Sequence, residues 1–349
     1  MWRAAGPQHH AGRPPDRDPD GSPVHVGAHR AADPRKDTMT THTRRPVARL
    51  AAVAAALTLT LTACASDTDE STDAGSAATS DDAQSELTIA VHNGWDEGIA
   101  VSHLWEAILE DEGYDVELEM ADPGFVYTGL AGGDLDVNFD MWLPVTHADY
   151  LEEFGDDLER VGTWYDDARL TIAVNEDSPI TSLAELAEQA DTVGNRLVGI
   201  EPGAGLTRIT KESVIPTYGL EDMDFVESST PAMLAELSGA IDSDRDIAVT
   251  LWRPHWAYDA FPLRDLEDPE GTLGEAENIE TVARTGFSDD FPELARWFGV
   301  FTLTGDQLFA LENLMFNENE GERNEESAEQ WLADNPDFVD ELKAAADAA

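Results

Sequence analysis

The sequence predicts a two-lobed α/β architecture in which a mostly parallel sheet carries helices on its faces. Three observations lead there. From Leu87 onward, short apolar runs alternate with amphipathic stretches, the order expected of strand–helix–strand units. Hydrophobic residues make up 42% of the 349, enough for a sizeable core. The roughly 260 residues after Leu87 are large for one core and comfortable for two lobes.

The chain before Leu87 reads as an address. Residues 1–38, rich in Pro, Arg, Asp and His, look like a non-native extension translated upstream of a start at Met39. Arg44, Arg45 and Arg49 precede the 13-residue apolar run Leu50–Thr62, followed by Ala63 and Cys64. That is the order of a secretory signal over residues 39–63, and the run is too short to span a bilayer. The stretch Leu61-Thr62-Ala63-Cys64 resembles a lipobox, which makes Cys64 the expected site of lipidation. An ordinary signal cleaved beside a cysteine is the alternative. Residues 64–86 hold seven acids and no basic or aromatic residue, a composition that cannot bury enough apolar surface to fold, so they read as an acidic flexible tether.

Strands are expected at Leu87–His92, Val116–Met120, Leu135–Phe139, Leu170–Val174, Leu197–Ile200, Phe225–Glu227 and Ile247–Trp252, each a short run enriched in β-branched and apolar residues. Between them, helical spacing of apolar residues marks Ile99–Glu112, Phe125–Ala131, Ser182–Gln189, Leu206–Tyr218 and Pro231–Ile241. After Trp252 comes a Pro- and acid-rich stretch. A short strand, Ile279–Ala283, and helices at Pro292–Phe298, Thr304–Phe316 and Glu325–Ala346 then complete the chain.

Charge and motifs remove several function classes. With 72 acidic against 21 basic residues the formal net charge is -51, and such a surface repels phosphate backbones and anionic headgroups, which argues against nucleic-acid binding. Nine basic and five acidic residues precede Cys64, so 12 basic and 67 acidic remain and the mature net charge is about −55. A solvated acidic shell suited to high salt is the preferred reading, because screening removes the self-repulsion. One cysteine excludes an internal disulfide framework or a thiolate zinc cluster. The segment Asp134-Leu-Asp136-Val-Asn138-Phe-Asp140 starts like a calcium loop, but Phe139 stands where Gly is needed and Val145 where a bidentate Glu is needed. Acid alternating with Leu, Val and Phe fits a strand with one buried face better. His92, His103, His147 and His255 lack zinc-ligand spacing, and no G-x-S-x-G, phosphate-loop or G-x-G-x-x-G motif occurs. No metal, cofactor or catalytic residue is therefore assigned.

The tryptophans carry the positive signal. Trp95 follows the first expected strand, Trp142 the third, and Trp252 ends the seventh. In open α/β sheets ligands bind outside the carboxyl ends of strands, and Pro144 and Pro254, each two residues beyond a Trp, mark loop entries. A Trp at a strand end can also simply plug the core; three together favour an aromatic cage for a quaternary ammonium, which has no hydrogen bond to donate but is attracted to ring faces. Three desolvated faces contribute roughly 6 kcal/mol at best, whereas a micromolar site needs about 8 kcal/mol after association costs. An anionic end on the ligand would supply the difference. Gly199-Ile-Glu-Pro-Gly-Ala-Gly-Leu206 runs from a strand through a Gly-rich turn into a helix, so the amides of Gly205 and Leu206 can receive a carboxylate at the helix start. His147 is a candidate third donor.

As a set, Asn-Gly-Trp-Asp at 93–96, Trp-Leu-Pro-x-Thr-His at 142–147, Gly-Ile-Glu-Pro-Gly-Ala-Gly at 199–205 and Trp-x-Pro-His-Trp at 252–256 resemble the OpuAC-like substrate-binding lipoproteins of glycine betaine/proline betaine ABC importers. The resemblance covers residues 87–349. It implies a periplasmic-binding-protein type II fold with residues 87–168 plus 253–349 as lobe 1 and 169–252 as lobe 2, and a ligand cleft between them. It also implies an ammonium prism of Trp95, Trp142 and Trp252, with the carboxylate on Gly205, Leu206 and His147. The implied partners are a small zwitterionic ligand and a membrane permease with its ATPase, the protein being held to the outer face of the cell membrane by its lipid anchor alone. Arg253 departs from the family's small residue and is expected to bring a second cation beside the ammonium site. A choline- or carnitine-type binder of the same fold is the main alternative; a carbohydrate-binding or hydrolytic surface lipoprotein is the other.

Overall fold

A computed structural model describes residues 86–349. The expected extension at 1–38, the signal at 39–63, Cys64 and nearly all of the tether lie outside the described residues. Glu86, expected to end the tether, is the first residue of the first strand.

In chain order the elements are β1 (Glu86–His92), α1 (Asp96–Asp111), β2 (Asp115–Ala121), α2 (Pro123–Gly132), β3 (Val137–Leu143), α3 (Ala148–Phe154), β4 (Leu158–Asn175), α4 (Leu183–Leu186), β5 (Arg196–Val198), α5 (Gly205–Ile209), α6 (Ile215–Tyr218), β6 (Asp224–Val226), α7 (Thr230–Ile241), β7 (Ala248–Arg253), α8 (Ala257–Ala260), β8 (Leu263–Asp265), β9 (Glu277–Arg284), α9 (Phe287–Asp290), α10 (Pro292–Val300), α11 (Gly305–Glu312), α12 (Asn324–Asp334) and α13 (Phe338–Ala348). The expected helix 206–218 is present as α5, a π-helical turn at Thr210–Val214 and α6. The single helix expected over 325–346 is two. Pro336 disfavours helical geometry at the preceding residue, and Asn335 ends α12 at φ −122°, ψ 60°.

The sheet order is β2-β1-β3-β9-β4-β7-β5-β6, with β8 paired to β4. The mostly parallel sheet expected from the alternation is corrected here to a mixed one. β1 with β2 and β3, and β5 with β6 and β7, run parallel, but β9 lies antiparallel between β3 and β4, and β4 lies antiparallel to β7 and β8. The antiparallel pairs are the ones that join the two parallel halves. Their central strand escaped the sequence reading because the first part of β4, Leu158-Glu-Arg-Val-Gly-Thr-Trp-Tyr-Asp-Asp-Ala168, is half-solvated and lacks the apolar run that marks Leu170–Asn175. β3 also runs on through Leu143, buried at every position.

β4 passes from one half to the other within two residues: Ala168 pairs with Glu277 of β9 and Arg169 with Arg253 of β7. The first crossing is expected from sequence at this same pair. The expected return at Arg253 does not match, because β8 pairs with Ala173–Asn175, the Glu176 amide donates to the Pro262 carbonyl and the Leu266 amide to the Ile172 carbonyl across the same seam, and Arg264 donates to the carbonyls of Glu176, Ser178 and Ile180. Tyr218 bonds Asp268. The segment through Asp268 therefore packs with the second half, and the chain returns between Asp268 and Glu277. An aromatic cluster centres the first half: Trp105, fully buried, meets Phe298 edge-on at 4.5 Å and Phe139 at 5.7 Å, and the Trp164 indole donates to the Phe139 carbonyl at 2.6 Å.

Candidate ligand site

A small cavity lies where the C-terminal ends of β1, β3 and β7 meet the turn after β5, and all six residues expected from sequence line it: Trp95, Trp142, His147, Gly205, Leu206 and Trp252. Glu97, Thr146, Leu170, Ile200 and Ala204 complete the lining. Trp95 enters as the N-cap of α1, Trp142 and Trp252 as penultimate residues of β3 and β7, and His147 as the N-cap of α3. All four are buried.

Each of the three cavity-lining indoles is anchored by a carboxylate. Trp142 Nε1 donates to Asp140 Oδ1 at 2.8 Å, Trp252 Nε1 to Glu97 Oε2 at 2.8 Å, and Trp95 Nε1 to Glu201 Oε2 at 3.4 Å. Glu201 also accepts from the Thr230 amide at 2.7 Å and hydroxyl at 3.0 Å. His92 packs on Trp95 with ring centroids 4.3 Å apart, and the His147 ring stacks on it nearly parallel at 5.4 Å.

His147 has its tautomer fixed by its neighbours. Its Nδ1 accepts from the Trp142 amide at 2.9 Å, and the Tyr127 hydroxyl lies 3.1 Å from the same atom. An amide can only donate, so Nδ1 carries no proton and the neutral ring holds its hydrogen on Nε2. Burial, reinforced by Arg208, lowers the His147 pKa to about 3, which keeps the ring neutral at physiological pH. Nε2 is buried with no hydrogen-bond partner, so His147 brings one unspent donor to the cavity wall. Beside it, Gly205 and Leu206 open α5, where the first N–H groups of a helix lack intrahelical acceptors. Ring faces and three N–H donors thus line one small chamber.

The model of the OpuAC family, the substrate-binding domain of the ABC-type glycine betaine transport system, matches residues 85–334. The chain belongs to this family. A relative from Listeria monocytogenes serotype 1/2a (strain 10403S), the glycine betaine/carnitine transport binding protein GbuC, is 35% identical over 164 residues, 46% of this chain and 52% of the relative, so the match spans about half that protein's length. Among solved structures, lactococcal OpuAC in its closed-liganded conformation complexed with glycine betaine shares 30% identity with a TM-score of 0.67, covering 74% of this chain and 98% of that one. The glycine betaine/L-proline-binding protein ProX from Borrelia burgdorferi shares 26% identity with a TM-score of 0.68, covering 75% and 99%. These likenesses bear out the expected periplasmic-binding-protein type II fold.

Within this family member, the contacts across the cavity depend on residues that the sequence reading passed over. A Cβ on Gly205 would lie 2.0 Å from the Thr146 carbonyl oxygen, so only glycine lets the start of α5 approach that loop. Glu277 holds the loop in place, accepting from the amides of Val145 at 2.6 Å and Thr146 at 2.9 Å and from the Thr146 hydroxyl. From the opposite side, Arg208 donates to the Val145 carbonyl at 3.1 Å and pairs with Asp149 at 2.8 Å, while the Tyr150 hydroxyl donates to the Gly203 carbonyl at 3.0 Å. Asp140 and Trp142 stand two apart on one strand, the spacing that puts both side chains on the same face. That signal was present, but it was buried among 67 acids. Arg253, expected beside the tryptophans' cavity, instead bonds Asp265 at 2.6 Å and lies over the Tyr258 ring at 3.5 Å, because strand alternation turns it away from the face that carries Trp252. Nor is the 134–140 segment a metal loop. Asp136 bonds the Thr88 amide and Arg284, Asn138 the Ala90 carbonyl, and Asp140 its tryptophan.

Proposed function

We propose that this protein captures a quaternary-ammonium compatible solute bearing a carboxylate, glycine betaine first and proline betaine second, on the outer side of the cell membrane and presents it to an ABC permease driven by its ATPase. The observation that carries this reading is the convergence of Trp95, Trp142, Trp252, His147, Gly205 and Leu206 on one small cavity. Three indole faces take the trimethylammonium group, and the Nε2–H of His147 with the amides of Gly205 and Leu206 take the carboxylate. Cage residues and carboxylate donors come from both halves of the sheet. A ligand bridging them favours the arrangement in which both of its ends are satisfied, and that closed form is what a permease would recognise. No step of capture requires bond making or breaking.

The anchor belongs to the same proposal. Acylation at Cys64, with residues 65–85 as tether, would hold the binding domain at the membrane surface; among the described residues no helix is long and apolar enough to cross a membrane. The test is intrinsic Trp fluorescence titrated with glycine betaine, choline and trimethylamine in molar salt, with Trp142→Ala as control. A saturable response to glycine betaine, weak for the two ligands lacking a carboxylate and lost in the variant, is expected. Equal binding of choline would remove the Gly205, Leu206 and His147 assignments and leave the cage, and no response to any ligand would overturn the reading.

A further inference from the structure

The carboxylates behind the cage are not needed merely to aim the rings. Glu97, Asp140 and Glu201 are 2%, 1% and 8% accessible, and burying an acid costs several kcal/mol unless its charge is used. A carbonyl or an amide side chain would accept from an indole N–H at less cost. All three rings of one cavity nevertheless end on acids. Asp140 is the most committed: Oδ1 holds Trp142, Oδ2 is buried with no hydrogen-bond partner, and Gly98 leaves room for it, since a Cβ there would lie 2.4 Å from Oδ2.

We propose that Glu97, Asp140 and Glu201 are positioning residues whose charge sets the preference of the cage for a cation over a neutral ligand of the same shape. This rests on reading the cavity as an ammonium site. A carboxylate accepting an indole N–H pushes electron density into the ring and deepens the negative potential on its face. The same charge adds its own field to a chamber where little water screens it. A neutral acceptor would orient the ring and do neither.

The charge is adjustable because acids face one another here. Glu97 feels Asp140 from β3 and Glu312 from α11, whose oxygens are buried with no hydrogen-bond partner. The neighbouring Asp96 accepts from Trp256 and lies 3.6 Å from His255 Nε2. Beside Asp140 stand Tyr127 and His92, both buried, and His147 packs against their rings with Arg208 as the basic group facing it. Burial holds Asp140, and burial plus mutual repulsion holds Glu97, toward their protonated forms; an ammonium in the cage reverses that balance. Binding of a cation then releases protons, and its affinity rises with pH while that of a neutral isostere does not.

The test compares glycine betaine with 3,3-dimethylbutanoate, which keeps the carboxylate and the shape and replaces the quaternary nitrogen by carbon. Affinities are measured by titration calorimetry at pH 6 and pH 8 for the wild-type protein and for Asp140→Asn, Glu97→Gln and Glu201→Gln. In the wild type the betaine-to-butanoate affinity ratio is expected to grow from pH 6 to pH 8. Asp140→Asn and Glu97→Gln are expected to lower that ratio by about 3- to 30-fold and flatten its pH dependence, glycine betaine losing more affinity than butanoate. Equal losses for both ligands would mean a purely structural role and overturn the proposal. Should an amide variant fail to fold, Trp252→Phe keeps a ring and deletes the N–H; an unchanged ratio there would overturn it too. A wild type that binds neither ligand would bring down the cage reading itself, a result distinct from binding with unaltered ratios.

Discussion

Replacing Gly205 by alanine tests how closely the two halves must approach at the start of α5. The added Cβ would lie 2.0 Å from the Thr146 carbonyl oxygen and 2.7 Å from its carbon, where ordinary contact begins at 3.4 Å, so α5 and the loop must part by about 1.4 Å. Thr146 is pinned by three bonds from its loop to Glu277 and cannot yield locally. A separation of that size takes the 3.1 Å bond from Arg208 to the Val145 carbonyl and the 3.0 Å bond from Tyr150 to the Gly203 carbonyl out of range. At 0.5–1.5 kcal/mol for a neutral bond and 1.5–3 for a charged one, the loss is roughly 2–4 kcal/mol, or about 30- to 1,000-fold in Kd for glycine betaine. Alanine is the better helix former and the backbone of Gly205 is not left-handed, so the melting temperature of the ligand-free protein is expected to hold or rise. Calorimetric titration alongside thermal melts reads both quantities. A variant that binds with wild-type affinity would refute the claim that capture requires this contact.

Three further outcomes follow from the same geometry. His147→Leu removes the Nε2–H donor and strands the Trp142 amide; glycine betaine affinity is expected to fall about 10- to 150-fold while choline, lacking a carboxylate, loses far less, and a parallel loss for both ligands would show that His147 only supports the cage. Arg253→Ser is expected to leave affinity within about 2-fold and stability within about 1 kcal/mol, because its partly exposed pair with Asp265 faces away from the cavity; a tenfold change in Kd would restore it to the site. Burial raises Asp96 and Asp140 from 3.8 to about 7 and lowers His147 and His255 from 6.5 to about 3. Below about pH 6.5 the two sets oppose each other, since the folded chain holds extra acid protons and lacks the histidine protons. From about pH 6.5 upward only the acids differ between states, the folded chain binds more protons, and ligand-free stability is expected to fall as pH rises through 7. Melting curves should show that slope and a shallower one for Asp140→Asn; a stability that climbs over this window would refute the assignment.

Much of the fold was legible because its parallel halves obey local rules. β1, β2, β5, β6 and β7 announce themselves by short β-branched runs, and α1 and α7 by helical spacing. What joins the halves was not legible. The first part of β4 is polar and half-solvated, and it is a strand because β9 and β7 supply its hydrogen bonds in turn, a fact of topology rather than of propensity. β8 likewise sits in a Pro- and acid-rich stretch with no periodic signal, yet its pairing with β4 moves the return of the chain from Arg253 to beyond Asp268.

The site divides along a different line. Its cavity-lining residues were readable because they are types that acidic surfaces do not need: three tryptophans at strand ends, a glycine-rich turn before a helix, and a histidine in a Trp-Leu-Pro-x-Thr-His run. Their supports are aspartate and glutamate, and in a chain with 72 of these a functional acid is indistinguishable by type from a solvated one. Burial separates them, and burial is a tertiary property. Glu97, Asp140, Glu277 and Glu312 are at most 3% accessible, whereas Asp134 and Glu152 lie exposed in the same composition. Indole N–H groups make the distinction physical, since a buried tryptophan near a ligand must place its one donor somewhere. In an acid-rich chain that acceptor is most readily a carboxylate within two residues along the strand or helix, as at Asp140-Met-Trp142 and Trp95-Asp-Glu97. The second pair, however, is not joined to itself: Glu97 serves Trp252 from the far half, and Trp95 is served by Glu201. Such exchanged partners tie the orientation of Trp95 and Trp252 to the meeting of the two halves, so both rings are held as described only where the halves meet.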